Sequence, residues 1–493
     1  MPMTDHQLLT VAEMTAADAA AVAAGVPVDL LMQRAGTAVA TAIRARWTPR
    51  PVLVLCGPGN NGGDGYETAS ELARHGWTVR VAASGDLSRL RGAAAAAAGR
   101  FAGPVVRMDA AALDGAELVV DALYGAGLTR PLGAAERDML RRAAERAPIV
   151  AVDLPSGLAG DTGTVLGHAP TAALTVTFHR KKPAHVLEPG RSLCGEVVVA
   201  DIGLAPPVRG PGSLFENHPD LWRPAFPRPS TVAHKGDRGR LVLVSGPMHA
   251  TGACRLAARA GLRIGAGLVT VASPPDALAV NAAQLTAIML KPFLNEEELQ
   301  QMAEQVDAVV IGPAAGVTEE TRLNVLACCR TGAAMVVDAD ALTIFRDDPD
   351  ELFSALDRDD VLTPHPGEFE RIFPGLLRTS PSRIVAARSA AATAGCIVLL
   401  KGPDTVIAGP DGRAAVNTNA TSWLATAGSG DVLAGTIAGL IAQGMDSFEA
   451  ACAGVWVHAE TGRRFGPGLI AEDLPDRFPE VLRDLLVGGE AGA

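Results

Sequence analysis

Short runs of consecutive apolar residues alternate along the chain with longer, alanine-rich stretches of helical character. In the first half the apolar runs at 52–56, 78–82, 118–122, 149–153 and 174–178 predict strands. They are apolar throughout, not alternately, which predicts a parallel sheet covered on both faces. The alanine run at 93–98 predicts helix, the state alanine favours most. Between 205 and 230 the pattern stops. Pro206, Pro207, Pro211, Pro219, Pro224, Pro227 and Pro229 crowd this stretch, which excludes regular structure and predicts a linker. Strand-like runs resume at 240–245, 268–272, 308–312, 335–338, 361–363 and 396–401, and a last helix is expected at 476–486. No internal repeat is visible. The pattern predicts an α/β protein with domains at 1–205 and 231–487, a linker at 206–230 and a polar tail at 488–493.

Length and composition agree with this division. The 493 residues exceed the roughly 100–250 of a typical domain and suit two. Hydrophobic residues make up 48% and charged residues 20%, which excludes disorder. Aromatics are only 4%, so the cores must be built from Ala, Val, Leu and Ile. A net charge of −11 argues against a general binder of nucleic acid or anionic membrane. The one dense basic run, His179-Arg180-Lys181-Lys182, reads as a solvated loop or the edge of a ligand site. The 7 cysteines are odd in number and form no C-x-x-C pair, so they predict reduced core thiols and a cytoplasmic protein. The first residues lack a basic start followed by an apolar run, so no signal peptide is expected. No apolar stretch reaches the roughly 20 residues of a membrane helix.

The candidate chemistry of the first half lies at the ends of its strands. The run 52–56 leads into Gly57-Pro58-Gly59-Asn60-Asn61-Gly62-Gly63-Asp64-Gly65, read as a turn before a helix. Such a turn lets backbone approach a ligand, and the helix start favours phosphate. G-x-G-x-x-G occurs within it, but no acidic residue ends the next strand and no G-K-[ST] follows. It fits neither a dinucleotide fingerprint nor a Walker motif. Asp121 precedes Tyr124-Gly125-Ala126-Gly127, and Asp153-Leu154-Pro155-Ser156-Gly157 ends another strand. Ligands of open parallel sheets sit beyond the strands' carboxyl ends, so Asn61, Asp121, Asp153 and Ser156 are expected to converge. Their oxygen donors suit a hard cation. The alternative is that the aspartates only cap loops.

The second half carries Ala427-Gly428-Ser429-Gly430-Asp431 before an apolar helix expected at 432–443. Backbone N–H groups at such a start form an anion hole, with Asp431 beside it as a base and the helix dipole keeping it ionised. The alternative is a plain Asp N-cap. Lys401-Gly402-Pro403-Asp404-Thr405 reads as a nucleotide loop. Asp338 and Asp340, at i and i+2 around a strand end, are expected on one face, holding Mg²⁺ through water. His365, between prolines, is more often a turn feature than a base. Residues 235–239 are placed to close over a ligand.

Taken together, GPGNNGGDG, DALYGAG, VDLPSG and the earlier LMQRAG resemble the NAD(P)H-hydrate epimerase family, with Gln33 where that family commonly has Glu. The resemblance implies a Rossmann-like three-layer domain. It implies substrate contacts at Asn60, Asn61, Gly62, Gly63, Asp64, Gly125, Ala126, Gly127, Leu128, Thr129, Arg130, Pro131 and Asp153, and potassium on Asn61, Asp121 and Ser156. The second half, through KGDRG, TGACRLAARAGLRIGAGLVTV, VVDADAL, LTPHPGEFERI, KGPDT and AGSGDVLAG, resembles the ribokinase-like NAD(P)H-hydrate dehydratase family. That implies nucleotide contacts at Lys401, Gly402, Pro403, Asp404, Thr405 and Gly430, and hydrate contacts at Ala253, Gly316, His365 and Asp431. Two departures stand out: Gly312-Pro313-Ala314-Ala315-Gly316 for G-P-G-x-G, and Ala420-Thr421-Ser422-Trp423-Leu424 for a Gly-Asn-Pro-type turn. The implied activity is repair of hydrated NADH and NADPH. One domain interconverts R and S hydrates, and the other dehydrates the S form with ADP, giving AMP and phosphate. Asp153 and Asp431 are the expected catalytic residues, K⁺, Mg²⁺ and ADP the expected cofactors, and a homo-oligomer the expected assembly. The rival readings are a ribokinase-like kinase of a vitamin alcohol and a non-catalytic pyridine-nucleotide binder.

Overall fold

In the computed structural model, residues 6–208 and 210–486 are described. The chain divides into two compact units, Met1–Arg209 and Gly210–Ala493. The expected polar tail at 488–493 lies outside the described residues.

The first unit holds a parallel sheet in the order Val105–Arg107, Val79–Ala83, Val52–Cys56, Leu118–Ala122, Ile149–Val152, Leu174–Phe178 and Glu196–Ala200. Alternate residues feed two cores. Val52, Val54 and Cys56 pack with the helices Val28–Arg44 and Asn60–Arg74, while Leu53 and Leu55 pack with Ala134–Ala144 on the other face. This is a three-layer α/β/α arrangement, and it explains why these strands are apolar throughout. The strand order reverses between Val52–Cys56 and Leu118–Ala122, so the ligand crevice of such a sheet falls at their carboxyl ends.

Within the second unit the sheet order is Leu214–Glu216, Ala414–Val416, Val406–Ala408, Ile397–Leu400, Val361–Leu362, Ala334–Val337, Ala308–Ile311, Arg240–Val244, Leu268–Ser273 and Met289–Pro292. It is parallel from Ile397–Leu400 to Met289–Pro292, and Val406–Ala408 is antiparallel to its neighbours. One core joins Leu241, Leu243, Val310 and Val336 to the helices Gly252–Ile264, Ser429–Ala442 and Ser447–Phe465. The intervening Val242, Val309 and Val337 are buried on the opposite face.

Several expectations need correction. The proline-rich stretch is not free of structure. Leu214–Glu216 forms a strand parallel to Ala414–Val416, and Pro219–Trp222 forms a short helix with Pro219 in its first turn, where no amide hydrogen is needed. Trp222 is fully buried, its Nε1 donating to Asn217 Oδ1 at 3.1 Å, and it packs against Trp456. The strands expected to end on Asp153, Gly312, Asp338 and Lys401 stop one residue earlier. Asp153 has φ +67° and Gly312 φ +117°, conformations that leave the sheet ladder. The last helix begins at Asp473, three residues' worth of first turn before the expected start. Short edge strands at Val105–Arg107 and Met289–Pro292 carried too little apolar pattern to be foreseen, and the apolar edge strand Glu196–Ala200 was not anticipated either. No helix among the described residues is long and apolar enough to cross a membrane.

Candidate active sites

The glycine-rich segment after Val52–Cys56 is helix, not loop, from Asn60 onward. Its glycines set packing distance. A Cβ on Gly62 would overlap the Gly57 carbonyl, and one on Gly65 would sit 2.6 Å from Ala122 Cβ and 2.9 Å from Cys56 Sγ. Gly62 and Gly63 therefore press the helix onto its neighbours and do not line the cavity that opens beside it. That cavity, about 830 Å³, is lined by Asn60, Asn61 and Asp64 from the helix start, by Gly125, Ala126, Gly127, Leu128, Thr129 and Arg130, and by Asp18, Asp153 and Lys182. Pro131 lies outside this lining.

Asp153 is the centre of the site. Its Oδ1 accepts from Lys182 Nζ at 2.7 Å and from Thr177 Oγ1 at 2.9 Å, and its Oδ2 accepts from the Ala126 amide at 2.8 Å. Burial alone would raise its pKa, but the Lys182 ammonium and these donors hold it at about 2. His185 completes the bracket: Nε2 donates to the Asp153 carbonyl at 2.8 Å and Nδ1 accepts from the Lys182 amide at 2.9 Å. Burial, with Lys182 nearby, pushes His185 down to about 4, so it is a neutral brace. Asp64 also faces the cavity. Burial first, then the charges of Asp153, Asp18 and Glu67, push its carboxyl well above the usual range.

Below the cavity floor, Asp121 is fully buried, and its carboxylate accepts from Ser156 Oγ at 2.6 Å and the Ser156 amide at 2.8 Å. Burial lifts its pKa to about 6 despite those bonds, and no cationic side chain among the described residues pairs with it. Asn61 Nδ2 is buried without a partner. Asn61 Oδ1 and Asp153 Oδ2 would lie 3.0 and 2.7 Å from a Cβ at Gly125, so only glycine fits between them. The uncompensated Asp121 carboxylate, the Ser156 hydroxyl and the Asn61 Oδ1 are oxygen donors of the kind that fits a hard monovalent cation, whereas the unpartnered Asn61 Nδ2 is a donor that calls for an acceptor.

In the second unit the helix Ser429–Ala442 starts earlier than expected, so Asp431 lies in its first turn and is not its N-cap. The cap is Gly428, at φ +84°, a conformation glycine adopts without strain. The Asp431 carboxyl is not held low by the helix dipole. Burial and the neighbouring Asp338 raise it to about 6 against the pull of Lys401. Lys401 Nζ bonds Asp338 Oδ1 at 2.8 Å and lies 3.9 Å from Glu368 Oε2. A Cβ on Gly430 would sit 3.5 Å from Lys401 Nζ and 3.8 Å from Asp338 Oδ2, which places the glycine-rich helix start against this lysine.

The remaining residues of the loop expected to meet the nucleotide brace it from within. Asp404 is buried against Arg383 Nε at 3.1 Å, Arg383 donates to the Lys401 carbonyl at 2.9 Å, and Thr405 Oγ1 bonds both ends of Gly402. His365 caps the helix Pro366–Ile372: Nδ1 accepts from the Gly367 amide at 2.9 Å, and Glu368 Oε2 accepts the His365 amide at 2.8 Å. The turn feature expected of His365 is thus a helix cap, with half of its ring exposed beside Glu368. Asp338 and Asp340 do not share a face. Ala339 has φ +53°, which turns the chain, and Asp340 Oδ2 accepts the Gly316 amide at 2.9 Å while Asp338 faces Lys401. The pair does not fit a shared magnesium ion. Residues 235–239, expected to close over a ligand, form the exposed turn Lys235–Arg238.

Comparison with known proteins bears on both units. Residues 28–184 match the family described as YjeF-related protein N-terminus, and residues 241–477 match NAD(P)H-hydrate dehydratase. The bifunctional NAD(P)H-hydrate repair enzyme of Moorella thermoacetica is 36% identical over 97% of each chain, and that of Pyrobaculum aerophilum 37% over 96% of this chain and 98% of its own. The Escherichia coli enzyme of the same name is 33% identical over 90% of this chain and 87% of its own. The chain belongs to this family of bifunctional NAD(P)H-hydrate repair enzymes. Among solved structures, the ADP/ATP-dependent NAD(P)H-hydrate dehydratase of Bacillus subtilis, co-crystallised with ATP/Mg²⁺, is 25% identical with a TM-score of 0.47, covering 55% of this chain and 98% of its own.

The repair enzyme therefore joins an epimerase and a dehydratase in one chain. Sequence reasoning missed Asp18, His185 and, most consequentially, Lys182. The basic run was expected at the solvent or a ligand's edge; Lys182 does line the cavity, but it and His179 are buried, and its part as the counter-ion of Asp153 was not foreseen. The available signal was its place just past the apolar strand Leu174–Phe178, next in the sheet to the strand that delivers Asp153.

Proposed function

We propose that the first unit, spanning the expected 1–205 domain, epimerises R and S NAD(P)H-hydrates. The second, spanning 231–487, converts the S hydrate to NAD(P)H with ADP, releasing AMP and phosphate. The observation that carries the second half is the meeting of Asp431, Lys401 and a glycine-rich helix start. The hydrate bears a hydroxyl at C6 of the nicotinamide ring, and hydroxide is a poor leaving group. Asp431, with a pKa near the working pH, takes the hydroxyl proton as the oxygen attacks the terminal phosphoryl of ADP. The P–O bond to AMP breaks, and the N–H groups of the helix start and Lys401 stabilise the transferring charge. Phosphate then departs from C6 as the ring nitrogen donates its electron pair, and C5 loses a proton to restore the dihydronicotinamide. Ala253, Gly316 and His365 are assigned to hydrate contacts around this centre.

In the first unit Asp153, ionised and fixed by Lys182, takes the C6 hydroxyl proton as the C6–N1 bond opens. The aldehyde so formed is planar, and closure of N1 on its other face inverts the centre. Asn61, Asp121 and Ser156 would hold a potassium ion, which supplies fixed positive charge beneath the cavity. The compartment this reading requires is the cytoplasm, where the free, mostly buried thiols remain reduced.

A mixture of R and S NADH-hydrates, supplied with K⁺, Mg²⁺ and either ADP or ATP, tests the reading. Recovery of dihydronicotinamide absorbance from the whole mixture, with one nucleotide consumed per NADH, is expected. Asp431→Asn should slow dehydration at least about 100-fold, the usual contribution of a general base. A near-normal rate in that variant would remove Asp431 from the role.

A further inference from the structure

Among the buried titratable groups that the chemistry assigned above leaves unused, one touches the glycine-rich helix start itself. His458, on the helix Ser447–Phe465, lies against the first residue of the helix Ser429–Ala442. Its Nε2 is 3.0 Å from the Ser429 carbonyl oxygen and 3.2 Å from Ser429 Oγ. Ser429 is the central residue of the Gly428-Ser429-Gly430 turn, and both it and His458 are buried. A carbonyl oxygen only accepts, so Nε2 carries the hydrogen and donates it.

We infer that His458 is a positioning residue for the anion hole, a fixed N–H donor that holds the Ser429 peptide so that the following amide hydrogens face the nucleotide. The inference rests on the assignment of that helix start to ADP. Glycines flank Ser429 on both sides, and glycine has no conformational preference strong enough to fix the turn. Contacts from neighbouring elements add to the helix's own backbone bonds, such as the Val432 amide to the Gly428 carbonyl at 3.1 Å, in fixing it. Leu256 and Ala471 wall the turn laterally, since a Cβ on Gly428 would lie 2.7 Å from Leu256 Cδ1 and 3.0 Å from Ala471 Cβ. His458 supplies the axial constraint, and its own helix is seated closely: a Cβ on Gly454 would lie 2.7 Å from Ile437 Cγ1. Burial, with Lys401 adding to it, keeps the imidazole neutral, so it neither adds positive charge to the hole nor exchanges protons with substrate.

The test compares His458→Leu, His458→Asn and His458→Gln in the full chain. Leu keeps apolar volume without a donor, the Asn amide stops short of Ser429, and the Gln amide reaches the place of Nε2. KM and kcat for ADP in dehydration, and ADP binding by calorimetry, are measured. Epimerisation by the same preparations reports whether the chain is folded. Leu and Asn should weaken ADP binding and raise its KM about tenfold, the effect of one lost buried hydrogen bond, while Gln returns both to within about threefold of the parent. Epimerase turnover should stay unchanged throughout. Parental KM and binding in both the Leu and Asn variants would overturn the inference, as would equal loss in all three variants through kcat alone. If Leu compromises folding, Asn against Gln decides it. A parent chain that binds ADP but consumes none would remove the assigned reaction while the Asn–Gln difference in binding still judges His458. A turning-over parent with unaltered variants would do the reverse.

Discussion

Asp153 keeps its charge where burial opposes it, and the cause is a single lysine. Lys182 is itself almost inaccessible, so each charge depends on the other for compensation. Removing the lysine leaves a buried carboxylate with backbone and hydroxyl donors only. Lys182→Met should cost roughly 3–5 kcal/mol of stability and abolish epimerisation, because the orphaned carboxyl takes a proton and ceases to be a base. The sign of the pH effect follows from the direction of the shift. The folded pKa of Asp153, about 2, lies below its ordinary value. Its stabilising contribution is therefore fully present above the ordinary carboxylate range and is lost as pH falls toward 2. Denaturant unfolding from pH 7 down to pH 3 checks this: the parent should lose this contribution progressively with acid, and the Met variant should show a flatter acid limb. Parallel limbs would mean that Lys182 does not set the charge on Asp153. The same scale limits what a sequence discloses. Asp153, Asp121 and Asp431 were legible because they end strands or open helices in polar-rich motifs. Lys182 was not, because nothing in a basic run tells which lysine turns inward. Ala314 is the converse case: it holds φ +54° where a glycine would be unstrained, a departure legible as a motif mismatch but not as strain.

At the level of elements, helix approach to the sheet and to other helices is set by glycine. The helices Gly252–Ile264 and Ser429–Ala442 meet where a Cβ on Gly435 would overlap the Ala257 carbonyl oxygen, and where Gly439 faces Gly261 across the same contact. That approach fixes the start of the helix that carries Asp431. Gly435→Ala should push the helices apart, lower stability by about 1–3 kcal/mol, and reduce dehydration while leaving epimerisation untouched. Thermal melting and the two assays on one preparation test this; an unchanged melting temperature would show that the contact has slack. The parallel strands at the centre of both units could be read from sequence because they are apolar on both faces, whereas the interior antiparallel strand Val406–Ala408 and its neighbour Ala414–Val416, three residues each, were not anticipated. The edges could not. Val105–Arg107 and Met289–Pro292 are short and partly exposed, so no burial requirement wrote a pattern into them. The proline-rich stretch misled for a different reason. Proline density excludes ladder hydrogen bonds only where proline stands, and Leu214–Glu216 and Pro219–Trp222 fit between and beside the prolines, anchored by buried Trp222.

For the molecule as a whole, joining an epimerase to a dehydratase makes sense only if the second activity accepts one epimer. The sites share no residue: the first draws on segments from Val11 to Ile202, the second on segments from Ala253 to Asp431. Substitutions in one should leave the chemistry of the other intact. Asp153→Asn preserves the shape of the first site and removes its base. Given equal R and S NADH-hydrates with ADP, this variant should restore absorbance at the parental initial rate and then stop when the S form is exhausted. The parent continues to completion. Supplied with the R form alone, the variant should restore nothing in the time the parent needs to finish. Adding a catalytic amount of the Asp431→Asn variant, whose first unit is intact, should restart the stalled reaction, since two chains each lacking one base together hold both. Full recovery by Asp153→Asn alone would show that the dehydratase accepts both epimers, and the first unit would then need a different purpose. A stall that the second variant cannot relieve would place the lost function outside Asp153.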